Sequence, residues 1–443
     1  MREIIRLVAM ATIFAMTTMA WLGFGGLMSA RTADQQAGLY GAVADLWGVP
    51  LTQQAPVVRM TWTDKVTVEE TVYDKKGKPA LTKDGEVVIR EVTKDVHKER
   101  IGALDSTDVA VDLGLDQRRK GLMWFSLYDV AFDGEWTWEH TGSETGWAWV
   151  KFKFPVADGV YDDFKFLVNG VEVSDKYPPE HGAISVPVKV VPGDKISFVA
   201  GYKSRGQDSF AYRPTDGDVG QLRDFSLRMK TDFSHIDFPS FTLSPSDKSR
   251  AGEGWDLDWT FNRLVTGHGM GMTMPTRIQP GPLAAHMSFS APISLGLFMV
   301  WIYVLGLLRK IDVHPVNHLF IAASFFSFHL LFGYSADHLP VEAAFALSAV
   351  VSMVLTVSYL RLVVGPRFAL FEAGGAQLLY LVGFSLAHFW EGYTGLTVTV
   401  LAIVTLFGLM QLTGRVRWDD VFSPTPLDDD DFPLGEPVMA PAK

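Results

Sequence analysis

The stretch 288–310, SFSAPISLGLFMVWIYVLGLLRK, decides how this chain is read. It holds about 20 mostly apolar residues, the length at which a helix crosses a bilayer, and ends abruptly on Arg309 and Lys310. Four more stretches of this kind follow, at 316–334, 340–364, 368–389 and 394–413, joined by short turns. A sixth stands alone at 4–28, with Arg2 and Arg6 at its start. That segment is longer than the roughly 7–15 apolar residues of a signal peptide, so it reads as an uncleaved anchor. Alternate turns differ in charge. Arg309 with Lys310, Arg361 with Arg367, and Arg415 with Arg417 mark one side. Asp337 with His338, and Glu391, mark the other, which has no Lys or Arg. Basic residues gather on the cytoplasmic side. The expected topology therefore has both termini inside and residues 31–286 outside the cytoplasmic membrane. Trp390 and Tyr393 at an outer turn, and Trp418 at the inner exit, suit an interfacial aromatic belt. Trp301 sits nearer the middle of its span and is expected to pack between helices.

The reading outward from these spans is a membrane protein in four parts. An N-terminal transmembrane anchor occupies 1–30, a large extracytoplasmic domain 31–286, a bundle of five transmembrane helices 287–414, and an acidic tail 415–443. The tail, with Asp428 to Asp431, reads as disordered, solvated and cytoplasmic. Cysteine is absent from the 443 residues, which excludes disulfides and thiolate chemistry. The net charge of −11, spread over the domain and the tail, argues against nucleic acid as a partner, since phosphate binding needs a basic face.

Period-two alternation makes the outer domain mainly β. It shows in Thr67-Val68-Glu69-Glu70-Thr71-Val72 and in Lys151-Phe152-Lys153-Phe154. Asn169-Gly170 predicts a tight type I′ turn, and Pro192-Gly193-Asp194 separates a further pair of strands. Trp136-Thr137-Trp138 and Trp147-Ala148-Trp149 read as the two arms of a hairpin. Short strands and frequent turns suggest a sandwich-like fold, as one large unit or two smaller ones. Helical periodicity is confined to 33–47. The charged stretch 74–86 reads as an exposed hairpin tip or insertion.

Several motifs resemble the CreD family of bacterial inner-membrane proteins. His314-Pro315-Val316-Asn317-His318 is similar to the His-Pro-Val-Gln-Tyr that opens a span in that family, with Asn317 and His318 replacing Gln and Tyr. Ser335-Ala336-Asp337-His338 resembles its Ser-Glu-His turn with one residue added. Asp116-Gln117-Arg118-Arg119-Lys120-Gly121 followed by Tyr128-Asp129 resembles Glu-x-Arg-x-Arg-Gly and Val-Tyr, and Trp47-Gly48-Val49-Pro50 fits Trp-Gly-x-Pro. Order and layout agree across most of the chain, although 267–275 has no counterpart. The resemblance implies an envelope-integrity protein of the inner membrane, linked to envelope stress, with no catalytic set to carry across.

Four groups of residues are candidate sites. His268, Met270, Met272 and Met274, followed by His286 and Met287, combine thioethers with imidazole, a donor set suited to Cu(I). Alternate spacing would put the three methionines on one side of an extended segment, and the alternative is an apolar loop surface. His329, Asp337, His338, Glu342, His388 and Glu391 fall at the outer ends of the spans. There they could bind Zn²⁺ or relay protons, or serve as ordinary interfacial polar groups. His314 and His318 lie one turn apart at a helix start, where Pro315 suits the first helical position. Glu372 could snorkel or pair with Arg361 or Arg367. The tryptophans Trp124, Trp136, Trp138, Trp147, Trp149, Trp255 and Trp259 could form sugar platforms but read better as core. The sequence has no phosphate loop, nucleophile elbow or zinc-protease helix.

The expected function is therefore non-enzymatic and needs no cofactor. The β domain is expected to bind an envelope protein or a cell-wall glycan, while membrane lipid surrounds the bundle. The alternative is a transporter or channel built from the five closing spans, with His329 inside it.

Overall fold

In the computed structural model of the protein, Met1–Gln36 with Ile278–Lys443 form one compact unit and Ala37–Arg277 a second. The structure describes residues 2–73, 75, 77–82, 85–120, 123–215, 219–311, 313–390, 392–414 and 416. Of the sequence features above, Glu391, Arg415, Arg417, Trp418 and the acidic tail lie outside these.

The first unit supplies helices long and apolar enough to cross a membrane, six in all among the described residues. Helix α1, Arg2–Trp47, is one continuous element where the sequence suggested a span and a separate helix. The junction Ser29-Ala30-Arg31-Thr32-Ala33 contains no proline or glycine, so nothing interrupts the backbone ladder. Helix α2, Pro280–Arg309, ends on Lys310 in the left-handed region, whose N–H caps Gly306 and Leu307 carbonyls. Helix α3, Pro315–Ser335, starts as expected: the His314 side chain accepts from the Val316 N–H, and Pro315 takes the first position. Helix α4, Val341–Val364, stops at Gly365, where φ is +93°.

The fifth span, Phe368–Phe389, is irregular. Two π-helical stretches, Phe368–Ala373 and Leu378–Gly383, flank the α-helical turn Gly374–Gln377, and a 3₁₀ turn, Ala387–Phe389, closes it. Such wide turns change which side chains face inward and leave carbonyls free for other donors. The Ser294 hydroxyl donates to one of them, on Tyr380. The last helix is Tyr393–Thr413. Phe298, Phe325, Phe328, Phe332 and Phe345 pack with Trp21 and Phe24 of α1 into the unit's core. Trp301 lies 6.3 Å from the Tyr380 ring, between helices as its position in the sequence suggested.

The second unit is a β-sandwich. Its large sheet has eight strands in the order β13-β14-β12-β4-β5-β10-β7-β8. These are β4 (Ser106–Lys120), β5 (Met123–Glu139), β7 (Asp162–Val168), β8 (Val171–Glu172), β10 (Lys195–Gln207), β12 (Gly220–Thr231), β13 (Asp247–Ala251) and β14 (Gly254–Thr266). A four-stranded sheet, β3-β2-β6-β9, comprises β2 (Val57–Thr71), β3 (Ile89–Gly102), β6 (Gly146–Lys153) and β9 (Ala183–Val190). A three-stranded sheet, β1-β11-β15, comprises β1 (Leu51–Gln54), β11 (Ser209–Arg213) and β15 (Met270–Thr273).

One core joins all three sheets, which settles the sandwich as a single unit. Along β5, Val130, Phe132, Trp136 and Trp138 are buried while Asp129, Asp133 and Glu135 are exposed, the alternation of a half-buried strand. Trp136 meets Phe152 of the four-stranded sheet at 6.2 Å and donates to the Tyr212 hydroxyl of the three-stranded sheet at 3.1 Å. Asn169 and Gly170 have φ of +49° and +76° and join β7 to β8, the turn expected from their sequence.

The two Trp-x-Trp segments are not arms of a hairpin. The strand of Trp136 and Trp138 pairs with β4 and β10, whereas that of Trp147 and Trp149 pairs with β2 and β9 in another sheet. The chain passes from the eight-stranded to the four-stranded sheet over residues 140–145. Of the stretch 74–86, residues 74, 76, 83 and 84 lie outside those described, and the others lie between β2 and β3, with bridges Tyr73↔Pro79 and Leu81↔Val87.

Candidate functional site

The β unit contains a cleft of about 910 Å³. Its floor is the outward face of four neighbouring strands. One row across them reads Lys230, Asp112, Ala131, Lys203, and the next reads Gly114, Asp129, Arg205. The small residues Gly114 and Ala131 lie centrally, so no side chain fills the floor. The end of α1, at Ala44–Trp47, forms one wall and the loop Val156–Asp162 another.

That loop is tied to itself: the Tyr161 hydroxyl accepts from the Val156 N–H and donates to the Val156 carbonyl, both at 2.8 Å. Burial pushes the Tyr161 phenol up, so it stays a neutral donor. The other wall is fixed by Gly48, whose φ of +101° ends α1, and by Trp47, whose ring lies 4.2 Å from the Arg118 guanidinium.

Six aspartates, Asp45, Asp112, Asp129, Asp158, Asp162 and Asp232, line the cleft against Lys203, Arg205 and Lys230. Arg205 is held by Asp129 at 3.0 Å, and Lys203 by Asp163 at 2.8 Å. The Lys203 ammonium holds the Asp163 carboxyl below the usual range. Asp232 accepts from the Leu115 N–H at 2.8 Å, which fixes its position. With two of the three cations engaged, the cleft presents a net acidic interior.

Elsewhere on this unit, Trp147 and Trp149 stand on the outer face of the four-stranded sheet, 48% and 39% exposed. The Trp149 indole N–H donates to the Thr61 hydroxyl at 3.2 Å, and Arg59 makes a two-point contact with Glu99 at 3.0 Å beside it. Trp136, Trp138 and Trp259 are core. Trp124 and Trp255 lie half-buried under Arg277 and Arg250.

The methionines expected as thioether donors are also core. Met270, Met272 and Met274 share a face, but it points into the sandwich, with Phe210 paired opposite Met272. His268 precedes the strand and is exposed beside Phe241, so the four donors do not converge.

Of the span-end candidates in the first unit, His329 and His388 lie close enough to interact electrostatically, while Asp337 is engaged elsewhere. His329 is buried, with Nδ1 3.1 Å from the Phe325 carbonyl of its own helix and its ring edge-on to Trp21 and Phe328. His388 lies with Nε2 2.7 Å from the Ser290 hydroxyl. Asp337 is paired with Arg31 at 2.6 Å. His338 and Glu342 are exposed. Among the described residues no three His, Cys, Asp or Glu side chains are arranged to hold a metal ion. Glu372 pairs with Arg309 at 2.6 Å rather than with Arg361 or Arg367.

A polar node in the bundle was not anticipated. Ser324 and Thr356 hydroxyls meet at 2.5 Å, Ser352 donates to the Ser324 carbonyl at 2.6 Å, and the Gln377 amide donates to Ser352 at 3.0 Å. Gln377 sits on the turn between the two π stretches and is fully buried, with its Oε1 unpartnered among the described residues. A glutamine inside an apolar span, just after Gly374-Gly375, was the signal available for it.

Among the described residues, six bilayer-length apolar helices, with fifteen strands between the first and second of them in the sequence, define a multi-pass membrane protein. The sequence model of the family described as Inner membrane protein CreD matches residues 291–419. The resemblance read from His314 onward is thus matched from within α2 to beyond the last helix, and the β unit lies outside the matched residues. No curated protein matches the sequence. Among solved structures, a candidate nutrient-binding protein of Legionella pneumophila aligns with 9% identity and a TM-score of 0.30, over 56% of this chain and 96% of its own. A likeness that distant carries neither fold nor function.

Proposed function

We propose that this is a non-enzymatic inner-membrane protein of the CreD type, acting in envelope integrity. Its β domain faces the periplasm and binds an envelope component that presents cationic groups. The observation that carries this reading is the open acidic cleft, whose walls are fixed by Gly48 and Tyr161 and whose floor is kept clear by Gly114 and Ala131. The bundle serves as anchor: its buried hydroxyls and amide pair with one another, as polar side chains do between membrane helices.

The exposed pair Trp147 and Trp149 favours a second contact, with cell-wall glycan, because exposed indoles flanked by charged pairs offer flat apolar faces to sugar rings.

Orientation can be tested with single cysteines, since the chain has none of its own. A cysteine at Val160 should react in intact cells with a membrane-impermeant maleimide, and one at Lys310 should react only after lysis. The reverse pattern would overturn the topology. For the cleft, the Asp112→Lys, Asp158→Lys double variant should lose the co-purifying partner while keeping its membrane level. Retention of that partner would refute the assignment of the cleft.

A further inference from the structure

We propose that the basic end of the bundle holds the phosphate of an anionic membrane phospholipid in a cavity between α1, α2 and the start of α3. The cavity measures about 260 Å³ and lies wholly within the first unit. Arg6 and Lys310 line it and bring positive charge to it. Met10 and Leu307 give it an apolar side where acyl chains can lie.

The independent feature is His318. Its side chain lines this cavity and is only 2% exposed. Nδ1 lies 3.4 Å from the His314 carbonyl, while Nε2 is buried without a partner among the described residues. A buried nitrogen left unpaired costs stability that a ligand can restore. With Nδ1–H directed to the carbonyl, Nε2 offers its lone pair to a hydroxyl. Phosphatidylglycerol supplies both a phosphodiester for the cations and a headgroup hydroxyl for the imidazole. Phosphatidylethanolamine instead brings an ammonium toward Arg6 and Lys310, which repel it. Basic pockets between membrane helices are suited to anionic headgroups for these reasons.

The test uses the full-length protein in detergent. Native mass spectrometry counts the lipid retained on purification, and thermal midpoints of delipidated protein are read with phosphatidylglycerol, phosphatidylethanolamine or inorganic phosphate. The expected result is one retained phosphatidylglycerol and a rise in midpoint with that lipid alone. Lys310→Gln and Arg6→Gln should each weaken retention about fivefold, the equivalent of about 1 kcal/mol per basic residue near an anionic surface. His318→Phe should weaken it by a similar factor, and Arg361→Gln, outside the cavity, should leave it unchanged. Equal shifts with both lipids would overturn the proposal. So would a full shift with inorganic phosphate, which would make the ligand free phosphate, or unchanged retention in all three cavity variants.

Discussion

Gly48 ends α1 at the wall of the cleft. At its φ of +101° an added Cβ would meet the Arg205 carbonyl oxygen at 2.6 Å. Gly48→Ala is therefore expected to destabilise the β unit by about 1–3 kcal/mol, read from the tryptophan-fluorescence melt of the intact protein. Met272 makes the complementary case. Met272→Ala should cost about 2–5 kcal/mol, as truncation of a buried side chain does, while leaving any Cu(I) uptake unchanged. That the three methionines share a face was legible from their alternate spacing. Which layer covers the face was not, because the partner strand β11 lies far away in sequence. The same limit applied to Trp147 and Trp149: their shared face could be read, but the surroundings of that face were set by pairing with β2 and β9.

The β2–β3 ribbon is an element held at its exposed end by cross-strand charge. The Lys98 ammonium holds the Asp64 carboxyl below its usual range, and Lys94 does the same for Glu70. Both folded pKa values lie below the unfolded ones. The added stability is thus present above the ordinary carboxylate pKa and is lost as pH falls through the carboxylate range. Amides of this ribbon are expected to lose protection at about pH 3 relative to about pH 6, more than those of the β5–β10 pair, in hydrogen exchange corrected for intrinsic rates. The fifth span gives a second element-level expectation. Gln377→Ala leaves Ser352 without its donor and should lower stability by about 0.6–2 kcal/mol in a detergent melt. The length of this span was plain in its apolar run. Its two π stretches were not, because hydropathy fixes length but not the number of residues per turn.

At the scale of the molecule, the count of spans was legible because the bilayer imposes their length and apolarity on composition. The cleft was not legible. Its lining is drawn from α1, four strand-bearing stretches and a loop spread from Ala44 to Asp232, and only the fold brings them together. The central claim is that this cleft binds an envelope component outside the cytoplasmic membrane. The most direct measurement places a photo-crosslinking residue at Val160 or Lys230 in the full-length protein in living cells, with a control probe at Val171 on the β7–β8 hairpin, and identifies the captured species by mass spectrometry. The account predicts that both cleft probes capture the same periplasm-exposed component and that the control does not. Capture of cytoplasmic proteins, or equal capture from the control position, would contradict it.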